Sequence, residues 1–405
     1  MNDRGFASDA RLSRQVNLGR ALALIRTRPF ISQTEMAQEL GLSKATVTDI
    51  VGALKRDGLL ESVGRGEASP AGGRRPRLLR FNPGAAAIIG VELDMSGTKL
   101  ALLDLGLNVL QRQSIPAPPK RDADAVLARL ISGIRNCIDA HPPKAPPILG
   151  VGIGIPGAVD PESGVCLFAA KLGWRGVPVA EIVSRRCGLR TVVDSEVRNR
   201  AMAECSRGVA KGVRNMAYLQ VAGGLGCALM VDGRMYRGAT NRAGEVGHNP
   251  VVEGGPVCAC GLKGCLQMLT SEQGVLPLLK ARVEASKDTQ LNPKKLTLQG
   301  LFDAATVGDP VALGMVNDIA RHLGAGVARL INTIDPEMVV LGGRVFEAGH
   351  GLLLDNVRDA AQPLIFDRAS RSVRIEASTL GADSGVMGAA AGVYQRLFEV
   401  PPAFL

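Results

Sequence analysis

The chain has 405 residues, of which 46% are hydrophobic and 49 are glycine, and this excludes a mainly disordered protein and leaves room for two or three globular α/β domains. The formal net charge is +10, and residues 1–82 hold 14 lysines and arginines against 8 acidic residues. Most of the excess positive charge therefore lies near the start of the chain, where it favours a polyanionic partner.

Neither a membrane span nor a secretion signal is predicted. The sequence has no apolar run of the roughly 18 residues that a span requires, and the polar segment Met1–Arg14 lacks the apolar core of a signal peptide. Single cysteines among apolar neighbours suit a reducing compartment, and these are Cys137, Cys166, Cys187, Cys205 and Cys227. We expect a cytoplasmic protein without membrane contact.

Helical patterns begin the chain. Apolar residues in the range 16–28 recur at helical spacing until Pro29 ends the pattern. Ser32 and Glu35 form a capping box at the start of a second helix, and Gly41 supplies the turn that follows it.

A third helix is predicted from Ser43. Its inward positions are Val47, Ile50, Val51 and Leu54. Two short helices joined by a glycine-containing turn match the geometry that places a helix in the DNA major groove. We interpret the range 33–55 as a helix-turn-helix, and the residues expected to contact DNA from it are Ser43, Lys44, Thr46 and Thr48.

A wing is predicted next. Two strand-like runs, 59–63 and 78–81, flank a segment rich in glycine and arginine. Guanidinium groups on such a loop can follow phosphates or enter a narrow minor groove, and the residues expected to do so are Arg74, Arg75 and Arg77. An interaction module with a solvated basic face is the alternative, but helix, turn, helix and wing in this order favour double-stranded operator DNA as the partner.

The remaining chain is predicted to be an α/β region of two lobes, because strands and helices alternate twice. The predicted strands are 87–93, 99–103, 109–115, 148–155, 191–193, 216–221, 227–231 and 338–341, and the predicted helices are 122–139, 196–208, 310–333 and 384–397. Glycine-rich turns follow four strands, at 94–98, 152–157, 222–226 and 341–344. One such turn alone is more often structural, but four favour an ancestral nucleotide site between the lobes.

The most specific pattern is a cysteine cluster. Three cysteines within eight residues and one upstream histidine supply four ligands for a tetrahedral zinc site, and these are His248, Cys258, Cys260 and Cys265. Because four protein ligands leave no open position for water, the predicted Zn²⁺ is structural and fixes a loop. A fortuitous cluster is the alternative.

The segments AGEVGH (243–248) and CACGLKGC (258–265), together with the winged module, resemble the ROK family of repressors and sugar kinases over nearly the whole chain. The resemblance implies an actin-like fold of two lobes with RNase-H-like halves, a sugar in the cleft between them, zinc on the four ligands above, and a homodimer or homotetramer. The predicted domains are 1–82 for the winged helix-turn-helix, 83–195 with 384–405 for the first lobe, and 196–383 for the second lobe with the zinc loop.

By position, the resemblance assigns sugar binding to Ser195, Glu196, Glu245, His248 and Gln267. Three of these depart from the family's pattern, in which Ser195 would be Asn, Glu196 would be Asp and Gln267 would be Glu. In the kinases that Asp is the general base, and Glu196 is one methylene longer. Since a shift of about 1 Å can cost on the order of a hundredfold in rate, the retained charge does not imply retained catalysis.

The phosphate loops are altered as well. Ser96 stands where the kinases have glycine, and the range 222–224 reads Ala-Gly-Gly instead of Gly-Thr-Gly, whereas Asp94 and Thr98 are kept. We therefore expect a ligand-binding site with degraded nucleotide contacts and Glu196 as a vestigial base. Drift in a site that no longer binds anything is the alternative.

The sequence thus predicts a sugar-responsive transcriptional regulator, a repressor of carbohydrate metabolism genes, without kinase activity. Because an amide at Gln267 adds two hydrogen-bond donors, an acylated, acidic or phosphorylated sugar is a further hypothesis. Two alternatives stay open, an ATP-dependent sugar kinase with a fused DNA-binding domain and a DNA-bound structural protein whose sensor lobe binds no ligand.

Overall fold

The computed structural model describes residues 3–28, 30–66, 75–94, 97–119 and 122–398. The described residues form two compact units, unit 1 within Met1–Ile153, Pro178–Val192 and Ala390–Leu405, and unit 2 within Gly154–Val177 and Val193–Ala389. Among the described residues, no helix is both long and apolar enough to cross a membrane. The predicted boundaries of three separate domains stay a prediction.

A winged module begins unit 1. Its elements are α1 (Asp3–Thr27), β1 (Ile31–Ser32), α2 (Gln33–Leu40), α3 (Lys44–Arg56), β2 (Leu60–Arg65) and β3 (Arg77–Phe81). The strands have the order β1-β3-β2, and β2 pairs antiparallel with β3. The first helix begins at Asp3 and is therefore longer than the predicted 16–28. The prediction missed its start because this mostly polar stretch has no helical pattern of apolar residues.

Local sequence determines where α2 and α3 begin. Ser32 Oγ accepts a hydrogen bond from the Glu35 backbone N–H at 3.2 Å, and Glu35 Oε2 accepts one from the Ser32 N–H at 2.7 Å, so the predicted capping box is confirmed. Gly41 ends α2 at a φ of 65°, a left-handed conformation that favours glycine. The buried side chains of α3 are those predicted, namely Val47, Ile50, Val51 and Leu54, and each contributes about 1.5–3 kcal/mol by leaving water.

Further strands and helices follow in the described residues. The strands are β4 (Ala87–Asp94), β5 (Gly97–Asp104), β6 (Val109–Pro116), β7 (Ile148–Ile155), β8 (Ala158–Asp160), β9 (Val165–Ala169), β10 (Trp174–Val177), β11 (Thr191–Ser195), β12 (Met216–Val221), β13 (Leu225–Val231), β14 (Arg234–Tyr236), β15 (Met338–Gly342) and β16 (Arg374–Ala377). The helices are α4 (Ala123–Asp139), α5 (Val179–Cys187), α6 (Glu196–Arg207), α7 (Leu266–Thr270), α8 (Glu272–Ala285), α9 (Leu298–Thr306), α10 (Pro310–Ile334), α11 (Arg344–Ala361) and α12 (Ser384–Phe398).

Two large sheets share one strand order. The first runs β6-β5-β4-β7-β11 and the second β14-β13-β12-β15-β16. Each consists of an antiparallel meander of three strands, with one later strand beside the first strand of the meander and a second later strand beside that one. In the second sheet the added strands are parallel, β15 to β12 and β16 to β15. This repeated order is what a pair of RNase-H-like halves requires.

The core of unit 2 supports the segment that carries the cysteines. Helix α10 has apolar residues every three or four positions, and Ile319, Leu323 and Val327 are fully buried. A Cβ at Gly326 of α10 would lie 2.8 Å from a methyl group of Leu266, so glycine at this position lets α7 pack directly on α10. The residues on either side of Leu266 are thereby held against a rigid core.

Candidate functional site

The exposed side of α3 carries the residues predicted to read DNA. Lys44 and Thr48 are exposed, Thr46 is half-buried, and the Lys44 ammonium has no hydrogen bond or ion pair with any described residue. Two hydroxyls are used within the helix, because Ser43 Oγ accepts from the Thr46 N–H at 3.1 Å and Thr48 Oγ1 donates to the Lys44 carbonyl at 2.8 Å. Contact of these four residues with DNA stays a prediction.

The wing presents fewer free guanidinium groups than its sequence contains. Arg75 and Arg77 are exposed, whereas Arg74 lies outside the described residues. Arg80 points to the neighbouring strand, where its Nε and Nη2 both donate to Glu61 Oε1 at 2.8 and 2.6 Å. The described part of the wing therefore offers Arg75 and Arg77 to a phosphate backbone.

The predicted metal ligands are brought together in unit 2. Each of His248, Cys258, Cys260 and Cys265 offers one ligand atom, and these atoms all lie within 4.8 Å of one another. His248 Nδ1 is 3.6 Å from Cys258 Sγ, and Cys260 Sγ is 3.6 Å from Cys265 Sγ. Two sulfurs on a tetrahedral zinc with bonds of about 2.3 Å would stand about 3.8 Å apart. The cluster therefore has the donor atoms and the size to hold a metal ion.

Backbone contacts shape the cysteine loop. The Cys258 N–H donates to the Leu262 carbonyl at 2.8 Å, and the Gly261 N–H donates to the Cys258 carbonyl at 2.9 Å, which folds this segment into a tight turn. At Gly264 the φ is 70°, and a Cβ would collide with the Val252 carbonyl oxygen. A glycine is thus required just before Cys265 for the loop to close.

Neighbouring groups shift the pKa values of two cluster thiols in opposite directions. Burial raises the pKa of Cys258, but hydrogen bonds from Cys260, Gln267 and His248 outweigh it and lower that pKa to about 7. Burial and the adjacent thiols of Cys260 and Cys258 raise the pKa of Cys265 to about 12. Cys258 is thus the more readily deprotonated of the two thiols near neutral pH, whereas binding of a cation would have to displace the proton of Cys265.

His248 faces the cluster with one ring nitrogen and a carboxylate with the other. Its Nδ1 points to Cys258, and its Nε2 lies 4.0 Å from Glu245 Oε2. A ring that gives Nδ1 to a metal keeps an Nε2–H that can donate to a carboxylate or a hydroxyl. The two roles predicted for His248, metal ligand and sugar contact, are therefore geometrically compatible.

Gln267 connects the cluster to the start of β13. Its Nε2 donates to Cys258 Sγ at 3.0 Å, and its Oε1 accepts from the Leu225 N–H at 3.5 Å. The next residue along β13, Gly226, faces the first turn of α6, where a Cβ would lie 3.5 Å from Val197. Gln267 and the α6 terminus thus approach adjacent residues of one strand.

The α6 terminus holds the other two predicted sugar contacts. Ser195 is buried and caps α6, with its Oγ accepting from the Arg198 N–H at 3.4 Å, and Glu196 is the first helical residue and half-buried. The Ser195 hydroxyl is therefore already used to cap the helix. Sugar binding by Ser195, Glu196, Glu245, His248 and Gln267 stays a prediction.

Sequence reasoning missed an ion-pair network beneath this terminus. Asp194 accepts from Arg198 Nε at 2.5 Å and from Arg237 Nη2 at 3.2 Å. Arg198 is 5% exposed and also donates to the Val159 and Asn241 carbonyls. The spacing of Asp194 and Arg198, four residues apart, was a visible signal for such a pair. The network fixes the direction in which α6 presents its first residues.

The residues kept from the phosphate loops lie at the ends of paired strands. Asp94 ends β4 and is half-buried, and Thr98 near the start of β5 is 7% exposed. Ser96 lies outside the described residues. In unit 2, the loop from β12 to β13 carries Gly223 and Gly224 without any side-chain hydroxyl.

Sequence comparisons cover both parts of the chain. The ROK family profile matches residues 88–396, and a profile named winged helix-turn-helix DNA-binding matches residues 9–61. A xylose repressor of Caldicellulosiruptor bescii is 31% identical over 394 residues, covering 96% of this chain and 98% of that protein.

Structure comparisons give the same picture. A ROK family transcriptional regulator, homologous to the Escherichia coli MLC protein, superposes with a TM-score of 0.85 at 26% identity, covering 95% of this chain and 96% of that one. A ROK family glucokinase from Streptomyces griseus, solved with glucose and AMPPNP, gives 0.67 at 27% identity over 75% of this chain and 98% of the enzyme. The predicted fold class, a winged helix-turn-helix followed by a sugar-kinase-like α/β fold, is confirmed.

Proposed function

Because the chain belongs to the ROK family and carries a winged helix-turn-helix ahead of its ROK domain, we propose that it is a sugar-responsive transcriptional repressor. The observation that carries this proposal is the likeness to a xylose repressor over 96% of the chain, which includes both parts. A kinase likeness covers less, since the glucokinase matches 75% of the chain.

Operator DNA is the proposed partner of the winged module. Lys44, Arg75 and Arg77 place three exposed cations on the recognition helix and the wing, and phosphate contacts from such residues give affinity without base specificity. In a homodimer or homotetramer, two such modules would recognise a palindromic operator. We propose that the protein is a homodimer or homotetramer and that it is located in the cytoplasm, where the operator is.

A sugar is the proposed effector. Glu245 and the Nε2 side of His248 offer an acceptor and a donor 4.0 Å apart, a pair suited to neighbouring hydroxyl groups of an aldose. Effector binding can regulate DNA binding only if the sugar prefers one conformation of the protein, because equal affinity for two conformations leaves their populations unchanged. We propose that the preferred conformation changes affinity for the operator.

Zinc is the proposed occupant of the cysteine cluster. Three sulfurs and one imidazole nitrogen match the soft and borderline ligands that zinc takes, and no position is left for a reacting water. When bound, zinc supplies a fixed charge and a fixed geometry, and it takes part in no reaction. Its proposed role is to hold His248 in the orientation in which Nε2 can contact the sugar.

Loss of kinase activity is proposed from three residues. Ser195 is engaged as the cap of α6, Glu196 carries the vestigial carboxylate at the base position, and Gly223 lacks the hydroxyl of a phosphate loop. A kinase is the second candidate function, favoured by the glucokinase likeness and by Asp94 and Thr98. The two candidates differ in whether ATP is consumed.

A coupled ATPase assay across a panel of aldoses separates these functions. The proposal predicts no sugar-dependent turnover above background from the full-length protein. Turnover at about 1 per second or faster, which is typical of enzymes, would establish the kinase instead.

A further inference from the structure

Two large apolar side chains lie on the surface of unit 2 after helix α11. Leu364 is 51% exposed and Phe366 is 75% exposed. Ile365 between them has an extended backbone, with a φ of −82° and a ψ of 124°, and packs against the core of unit 2. Because successive side chains of an extended segment point to opposite sides, Leu364 and Phe366 share the outward side and form one apolar patch.

Helix α10 holds the backbone of this apolar patch. Asn332, near the end of α10, donates from Nδ2 to the Leu364 carbonyl at 2.9 Å, and its Oδ1 accepts from the Phe366 N–H at 2.9 Å. Both halves of one side-chain amide are thus used to fix the segment. A patch whose backbone is already fixed loses little conformational freedom when a partner covers it, and this favours association.

Charged residues of both signs follow the apolar patch along the chain. Asp367 accepts a hydrogen bond from Ser370 Oγ at 2.5 Å, and the next residue, Arg368, is exposed and has no hydrogen bond or ion pair with any described residue. Arg371 pairs with Asp335 at the end of α10 at 3.5 Å. The four groups carry two positive and two negative charges, so the border of the patch is electrically balanced.

A surface of this kind is complementary to a second copy of itself. In a contact about a two-fold axis both copies use the same surface, so each contact between two different residues occurs twice. Two copies that meet at the apolar patch would cover Leu364 and Phe366, and Asp367 of each copy could pair with Arg368 of the other. A partner of a single charge sign would instead place one of these two groups opposite a like charge.

From these contacts we infer that two copies of this chain associate through the apolar patch, with Asp367 and Arg368 pairing between the copies at its border. An apolar centre with a polar rim is the usual anatomy of a protein interface. The inference rests on the proposed function, because it names the contact surface of the proposed homodimer. In a homotetramer the same surface would join the copies in pairs. Each pair carries two winged modules, the number that a palindromic operator requires.

Fluorescence-detected sedimentation of the full-length protein over a dilution series tests the inference. Phe366→Asp should raise the dissociation constant of the pair by about 30-fold or more, the usual effect of losing a central anchor residue. Val307→Asp is the matched control and should leave that constant unchanged. Val307 is 84% exposed and precedes the start of α10, roughly 30 Å along this helix from Asn332.

Charge reversal tests the pairing between the copies. Asp367→Arg gives each copy two neighbouring positive residues, and Arg368→Asp gives each copy two negative ones. Each variant alone should therefore associate about tenfold or more weakly than the wild type, because like charges face each other. A mixture of the two variants should restore the pair, since both contacts between Asp and Arg return between unlike copies. Recovery on mixing also shows that both variants are folded.

The inference is overturned if Phe366→Asp associates as tightly as the wild type, or if the mixture associates no better than either charge variant alone. A wild type that is monomeric over the whole dilution series would overturn it together with the proposed state of assembly. Failure of the repressor proposal would be seen separately, as a protein that binds no operator DNA or whose operator affinity no sugar alters. Sedimentation requires neither DNA nor sugar.

Discussion

Gln267 donates a hydrogen bond from Nε2 to Cys258 Sγ across 3.0 Å. The amide predicted to contact a sugar therefore also contacts the cysteine cluster, and one of the two N–H groups that the sequence hypothesis assigned to a sugar is used on sulfur. A glutamate, as in the family's pattern, could not donate to a thiolate in this way.

Gln267→Leu should therefore weaken zinc binding by about tenfold or more, the usual effect of removing a hydrogen bond to a metal ligand. Competition with a chromophoric chelator measures this affinity directly. Gln299→Leu, at an exposed glutamine on α9, is the control that should leave it unchanged. Equal zinc affinity in the wild type and Gln267→Leu would show that the contact with Cys258 does not support the metal.

Cys260→Ser should abolish the effect of sugar on operator binding while leaving DNA affinity in the absence of sugar largely intact. The reason is that the cluster is proposed to orient His248 in unit 2, whereas the residues predicted to contact DNA lie in the winged module. Removal of zinc by a chelator should have the same effect as the substitution. Mobility shifts with and without sugar measure both quantities.

Cys187→Ser changes a thiol on α5 that lies outside the cluster and serves as the matched control for Cys260→Ser. A full sugar response in Cys260→Ser would contradict the role assigned to the metal.

Lys44→Ala should lower operator affinity and flatten its salt dependence. If the Lys44 ammonium neutralises one phosphate, the slope of log K against log salt concentration should become less steep by about 0.9. Titrations at several salt concentrations measure the slope, and Lys287→Ala provides an exposed lysine far along the chain for comparison. An unchanged slope would remove Lys44 from the phosphate contacts.

Ser32→Ala should destabilise the winged module by about 1 kcal/mol, the typical cost of losing an amino-terminal cap. Hydrogen bonds from the side chain and backbone of Ser32 lower the pKa of Glu35. A carboxyl whose pKa is lower in the folded state stabilises the fold at pH values above its unfolded pKa of about 4.3. This stabilisation is lost as the pH falls through the folded pKa.

The loss of thermal stability in Ser32→Ala should consequently be smaller at pH 3 than at pH 7. Thr34→Ala, at an exposed position in the same helix, should show little change at either pH. Melting temperatures that fall equally at both pH values for Ser32→Ala would contradict the contribution of the Glu35 carboxylate.

Local patterns predicted the parts of the protein that local sequence determines. The capping box, the buried face of α3, the strand Ile148–Ile155 and the clustering of the three cysteines with His248 all depend on spacings that are short or repeat regularly. Short elements such as β8 to β10 and helices such as α8 were not predicted. Helix α8 contains Pro277, and the small strands show no clear alternation of buried residues.

Contacts between distant segments could not be predicted from spacing. Lys171 and Arg344 both approach Gly223 only because two segments far apart in the chain fold beside this loop, and no spacing in the sequence relates the two residues. The use of Gln267 Nε2 on Cys258 likewise depends on how α7 packs on α10. Sequence reasoning identified residue types suited to a ligand, whereas tertiary packing determined which of their atoms are free.

The central claim is that the protein binds operator DNA and that a sugar changes this binding. Fluorescence anisotropy of a labelled DNA fragment from upstream of the protein's own coding region, titrated with full-length protein and a panel of aldoses and aldose phosphates, tests it most directly. We predict that at least one of these compounds changes the dissociation constant by about 5-fold to 150-fold, the usual range of coupling between two sites. Tight DNA binding that is the same with every compound in the panel would contradict the account.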